Sequence, residues 1–198
     1  MIKMDNQQNN SKKIGMEKGR KICKKYLSER PKLMEHSIKV AKLCKKLAQE
    51  IIIKNPEFEN VLEPEILGFL GYVHNIGTFI RRNRHELHTI YLLTNKENIP
   101  EKVAVRTRHG QLVEDYEEKK EDYYPIGLEG IILTYADIIV REDDELLPME
   151  KRLDEMEDLM KKKKSVFGDY NSKMIENFRK AKKRYLRYEK IIHVLTEK

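Results

Sequence analysis

Apolar residues recur along this chain at spacings of three and four, the pattern of helices buried on one face. The first such stretch runs from Met16 to Leu27, with Ile22, Cys23, Tyr26 and Leu27 as its stripe. Ser28-Glu29-Arg30-Pro31 then stops one helix and starts the next, because proline fits a first turn but not a helix interior. The following helix is expected from Pro31 to Ile53, on the spacing of Val40, Leu43, Leu47 and Ile51. His36 falls four residues before Val40 and therefore faces the core.

After a loop bounded by Pro56 and Pro64, Glu65 to Asn75 reads as a very apolar helix, Ile66-Leu67-Gly68-Phe69-Leu70-Gly71-Tyr72-Val73, and is the expected centre of the fold. His74 stands at its C-terminal end, and Gly77 is expected to let the chain leave in a left-handed turn. A helix at His85 to Leu93 puts His85 and His88 on one face, and Pro100 opens another that leads to His109-Gly110. Gln111 to Pro125 is acidic and tyrosine-containing, a surface excursion or flap. Helical spacing returns with Leu128, Ile131, Ile132, Tyr135, Ala136 and Ile139, and Asp137 interrupts that apolar run.

Beyond Pro148 two charged, amphipathic helices are expected, separated by Gly168-Asp169-Tyr170-Asn171. The reading is all-α. Residues 1–15 are expected to be a disordered polar arm, 16–147 a helical domain, and 148–198 closing helices packed on that domain or on a partner.

Composition agrees with helices whose outer faces are heavily charged: 39% of the 198 residues are hydrophobic and 37% charged, with nine glycines and six prolines. Cys23 and Cys44 lack a C-x-x-C partner, so a reduced, cytoplasmic setting is expected. No apolar segment has the length of a membrane span. The net charge of +7 concentrates at the two ends and leaves the middle acidic. Basic ends can attract nucleic acid or phosphorylated ligands.

Candidate chemistry centres on five of the six histidines, His36, His74, His85, His88 and His109, with Asp137 following on a further helix. Imidazole nitrogen and carboxylate oxygen together suit borderline divalent cations. An acid inside an apolar helix is unusual unless it is paired or ligates a metal. Arg81, Arg82 and Arg84 could bind phosphate oxygens as forked donors, or form a solvated basic turn.

The pieces His36-Ser37-x-x-Val40-Ala41, Val73-His74-Asn75-Ile76-Gly77, His85-x-x-x-Thr89-x-x-x-Leu93, Arg108-His109-Gly110 and Tyr135-Ala136-Asp137 occur in this order over residues 33 to about 142. Together they resemble the HD superfamily of metal-dependent phosphohydrolases. The resemblance implies an all-helical domain holding a metal through His36, His74, Asn75 and Asp137. It implies a second metal, or substrate, near His85 and His109; His88 has no firm counterpart and reads as a surface or supporting histidine.

No side chain is assigned as catalytic, and a water activated by the ion is the implied nucleophile. Manganese, iron, zinc, magnesium and nickel are not distinguished. The family's second signature residue is aspartate, and here it is Asn75. A neutral oxygen donor replaces a carboxylate that bridges both ions in two-metal members, which favours one ion over two and puts activity in doubt.

Three functions follow. The first is hydrolysis of a phosphate ester, possibly a nucleotide; the second is an inactive module binding a nucleotide or other phosphorylated ligand. The third is nucleic-acid binding through the basic ends. A homo-oligomer is compatible with the charged closing helices.

Overall fold

The structure is a computed structural model that describes residues 14–81, 84–110, 123–141, 146–162 and 172–197. The polar arm through Lys13, Arg82, most of the acidic excursion after Gln111 and the Gly168-Asp169-Tyr170-Asn171 break lie outside the described residues. Among the described residues eight α-helices form: α1 (Met16–Leu27), α2 (Pro31–Lys54), α3 (Pro64–Val73), α4 (His85–Asn95), α5 (Glu101–Ala104), α6 (Gly127–Ile139), α7 (Met149–Lys162) and α8 (Ser172–Thr196). Among the described residues no strand forms, and a single isolated bridge pairs Val140 with Leu146. The protein is all-α.

Helix α3 is the centre because every residue from Ile66 to Val73 is buried. A helix apolar all round is stable only when neighbours cover each side. Here α1, α2 and α6 supply that cover. The closest approach is to α2, where a Cβ on Gly71 would lie 2.5 Å from the Cα of Ala41 and 2.7 Å from its backbone nitrogen. The two backbones touch there. His36, little more than one turn before Ala41, is thereby brought opposite His74, one turn after Gly71.

The closing helices bury part of their apolar faces, while Leu159, expected in the stripe of the first of them, is exposed. Met149 and Leu153 from α7 join Phe178, Ala181 and Tyr185 from α8 in a second apolar cluster with Ile138 and Ile139 at the end of α6. Ile192 continues α8 into the main core. Cations on α8 are matched by acids on α7: Arg179 meets Glu157 at 3.0 Å and Lys182 meets Asp154 at 2.5 Å. Exposed pairs of this kind are worth about 1 kcal/mol or less each, so the apolar faces hold the helices in place. Both cysteines are buried and free.

Candidate metal centre

His36 from α2, His74 at the C-terminal end of α3 and Asp137 on α6 meet at one point. The Asp137 Oδ1 atom lies 2.8 Å from His36 Nε2 and 3.0 Å from His74 Nε2. Asn75 sets its side-chain amide 2.7 Å from the same His74 nitrogen. Beside this group, His85 at the start of α4 and His109 bring their Nε2 atoms within 3.2 Å of each other. Asp137 lies between the groups, its Oδ2 4.0 Å from His109 Nε2. Both groups have donor atoms close enough to hold a cation.

Proton placement follows from the backbone. His74 Nδ1 is 2.7 Å from the Gly71 carbonyl and His109 Nδ1 is 3.0 Å from the Thr107 carbonyl. A carbonyl oxygen only accepts, so each Nδ1 carries the hydrogen and donates it. In the neutral ring Nε2 is then a bare lone pair. Burial pushes His74 below the ordinary histidine range, against the opposing pull of Asp137, and at neutral pH its ring is neutral. Burial also works against the Asp137 carboxylate, but the charges and hydrogen bonds of His74, His36 and His109 outweigh it and hold the acid well below its usual range. The Nε2 atoms of His36, His74 and His109 thus converge on the Asp137 carboxylate in a buried site, and imidazole nitrogens with a carboxylate oxygen are a donor set that fits a divalent metal. Rotating the Asn75 amide by half a turn exchanges its nitrogen and oxygen and offers the oxygen to that cation.

Gly77 departs from the expected left-handed turn. Positive φ among the described glycines belongs to Gly110 and Gly127, while Gly77 sits in a short 3-10 turn spanning Ile76–Phe79. Its lack of a side chain serves a close approach: a Cβ there would lie 1.9 Å from the His85 carbonyl oxygen and 2.5 Å from the Thr89 nitrogen. Thr89 fastens this contact. Its Oγ1 accepts from the Gly77 N–H at 2.9 Å and donates to the His74 carbonyl at 3.0 Å. The turn after His74 is thereby locked to the helix that carries His85.

His109 is held from the other side. Thr134 Oγ1 on α6 donates to the His109 carbonyl at 2.8 Å. Arg184 Nη2 and Tyr185 Oη on α8 donate to the Gly110 carbonyl at 2.7 and 3.1 Å. Gly110 adopts φ 62°, which glycine permits without strain. A closing helix far along the chain therefore fixes a histidine of the centre.

The other residues singled out from the sequence are placed as follows. His88 stands half-buried on α4, one turn after His85, and joins neither group. Arg81 and Arg84 are exposed on the segment entering α4, with Arg84 in the left-handed region at φ 55°. Tyr123 is buried, and the Tyr124 ring lies 5.3 Å from the Arg184 guanidinium carbon. His193 lies on the surface beside Glu197 at 3.2 Å. The reading of the sequence missed Glu86, which is 1% exposed and groups with His85 and His109. A signal existed: Glu86 shares its helix face with Thr89 and Leu93, both buried.

Burial, with His109 beside it, pushes His85 down to about 4, while Glu86 pulls the other way. A histidine depressed in the fold binds a proton more readily when unfolded, so its contribution is complete above the ordinary value near 6.5 and lost as pH falls toward about 4. Asp137, depressed in the fold, loses its contribution at still lower pH, in the same direction. Thermal unfolding of metal-free protein, followed by circular dichroism, should show Tm falling steadily between those two pH values. A flat profile there would contradict the burial of a neutral His85.

The helical centre thus carries two groups of side chains that could hold a metal ion, with Asp137 between them. The chain belongs to the HD domain family, whose profile matches residues 33–142. Among curated proteins no sequence matches it. Among solved structures it is similar to the HD domain of the L. monocytogenes phosphodiesterase PgpH in complex with cyclic-di-AMP, at 17% identity over 84% of this chain and 95% of that one, with a TM-score of 0.46. A second structure of the same HD domain matches at 16% identity over 84% of this chain and 97% of that one, with a TM-score of 0.44. Among the described residues no helix is long and apolar enough to cross a membrane.

Proposed function

We propose that this protein is a metal-dependent phosphohydrolase that cleaves a phosphate ester, with nucleotides the favoured substrate class. One observation carries the reading: His74 is pinned through Nδ1 to the Gly71 carbonyl, so its Nε2 lone pair is aimed at Asp137 inside a buried site. Family membership supports the same chemistry. His36, His74 and Asp137 would hold one divalent ion, with the Asn75 oxygen as a neutral fourth donor. A divalent ion bound there supplies Lewis acidity, activating a water and polarising a phosphoryl oxygen.

The chain's own groups do the rest. Asp137 sets the negative charge that balances the ion, and the backbone carbonyls of Gly71 and Thr107 keep two imidazole lone pairs in place. Arg81 and Arg84, with Arg82 between them, supply forked donors for the phosphate oxygens. Asn75 cannot accept a proton from water. That carboxamide is the observation favouring the second reading, a module that binds a phosphorylated ligand without turnover. Nucleic-acid binding has less support, because Arg179 and Lys182 on α8 are already paired with acids of α7.

The test is a screen of mononucleotides, a cyclic dinucleotide and simple phosphomonoesters against manganese, iron, zinc, magnesium and nickel, with Asp137→Asn as the blank. Turnover above the blank with one of these ions is expected. Saturable binding with no product over long incubation would replace this reading with the binding module.

Asn75→Asp restores a carboxylate beside His74 and is expected to raise kcat/KM by roughly tenfold or more, the scale on which changes around a ligand alter a metal site. Steady-state kinetics of the two proteins with the same ion check this. Equal or lower activity would show that the missing carboxylate does not limit turnover.

A further inference from the structure

We propose that Arg30 is a positioning residue for the candidate centre: its guanidinium, bonded to the Thr78 carbonyl, holds the turn that presents the Asn75 amide beside His74. The inference rests on the metal-dependent reading above. It adds a residue outside the span 33–142 matched by the family profile.

Arg30 joins α1 to α2, and its own backbone is fixed on both sides. Its N–H donates to the Leu27 carbonyl at 2.9 Å, and its carbonyl accepts from the Met34 N–H at 3.0 Å. From that fixed point Nη1 donates to the Thr78 carbonyl at 2.7 Å. Thr78 passes the constraint back to Asn75, because its Oγ1 and its N–H both donate to the Asn75 carbonyl, at 2.7 and 3.1 Å. The next residue of the turn is held from α1, where the Tyr26 and Phe79 rings meet edge-on with centroids 5.5 Å apart. Tyr26 is itself anchored, its hydroxyl donating to Glu97 at 2.8 Å.

Asparagine at position 75 makes this brace matter for binding. A carboxylate offers two equivalent oxygens and a full charge, which attracts a cation over a range of orientations. An amide offers one oxygen beside an NH2 group of the wrong polarity, so it serves a cation only when correctly placed. The Asn75 amide lies 2.7 Å from His74 Nε2, and a drift of the turn would carry its oxygen away from the ion that His74 would hold. A chain with asparagine here therefore depends on a fixed turn more than one with aspartate would. Arg30 acts through Thr78, not on the reacting groups.

The test is a manganese titration of the untagged full chain, reading free Mn2+ by electron paramagnetic resonance. Wild type, Arg30→Met, Arg30→Lys, Asn75→Asp and the double variant of Arg30→Met with Asn75→Asp are compared. Circular dichroism checks folding, and thermal unfolding without metal gives the structural effect of losing Arg30 in both backgrounds. With Asn75 in place, Arg30→Met is expected to weaken Mn2+ binding about fivefold, somewhat less than the loss of a direct partner of a ligand. Arg30→Lys keeps a donor for the Thr78 carbonyl and should stay within about twofold of wild type. In the Asn75→Asp background the same Arg30→Met change should cost less than about twofold, although Tm falls equally in the two backgrounds. Equal weakening of binding in both would make Arg30 a general structural contact and overturn the inference. So would unchanged binding by Arg30→Met, or its failure to fold. Binding by Asn75→Asp but not by wild type would overturn it too, since Asn75 then supplies no ligand, while the metal-dependent reading stands. No binding by either would overturn both.

Discussion

Asp137→Asn is expected to abolish phosphohydrolase activity, lowering kcat/KM by at least on the order of a hundredfold, since a catalytic cation contributes several kcal/mol to the transition state. The reason is its position. Asp137 Oδ1 contacts His36 and His74, and Oδ2 faces His109, so both groups depend on this carboxylate. The substitution keeps the volume and removes the charge. Metal-free Asp137→Asn should remain folded, because the amide keeps the shape and an acceptor oxygen for its imidazole neighbours, but with a Tm lowered by the lost charge. Steady-state kinetics beside thermal unfolding separates the two effects: lost activity with a lowered but still cooperative unfolding transition is the expected pair. Retained activity would remove Asp137 from the centre, and loss of folding in the metal-free variant would make it a structural acid instead.

Gly77→Ala is expected to cost about 3 kcal/mol or more in stability, at the upper end of what forced packing costs. The added methyl would sit 1.9 Å from the His85 carbonyl oxygen, a backbone atom that no rotamer change can move. Relief requires α4 to retreat from the turn, which strains both Thr89 hydrogen bonds and displaces His85 from His109. Urea unfolding checks the stability, and cation binding by the folded fraction checks the displacement. A wild-type midpoint would show that α4 shifts freely and that the contact does not position the centre. Gly71 makes a comparable demand on α2, but there the strain falls between α2 and α3, the helices carrying His36 and His74.

The helices were legible because their physical causes are local. The stripe of Ile22, Cys23, Tyr26 and Leu27 marks α1 over Met16–Leu27, and the four-residue step from His36 to Val40 aims that histidine inward. Asp137 announced itself as an acid in an apolar helix, a placement that needs a partner. Gly77 and Glu86 were harder for different reasons. What Gly77 avoids belongs to residues 85 and 89, eight and twelve positions later, so its immediate neighbours suggest only a turn. A glutamate beside a histidine at the start of a helix reads as solvated surface. Only its shared face with Thr89 and Leu93 shows otherwise. The clamp of Arg184 and Tyr185 on Gly110 joins segments more than seventy residues apart, and no local pattern encodes it.

The closing helices show the same division. Their apolar stripes were visible in sequence, but the surface that receives them, Ile138 and Ile139 at the end of α6, is apparent only in the folded chain. Through Tyr185, which packs in that cluster and donates to Gly110, the core of the C-terminal region is joined directly to the loop carrying His109.

The most direct test of the central claim is metal content per chain by elemental mass spectrometry, on untagged protein purified without chelator and incubated with each candidate ion, beside His74→Ala and Asp137→Asn. The account predicts at least one equivalent of a divalent metal in wild type, reduced in His74→Ala and absent from Asp137→Asn. Wild-type protein that takes up no ion, or variants that hold as much as wild type, would contradict it.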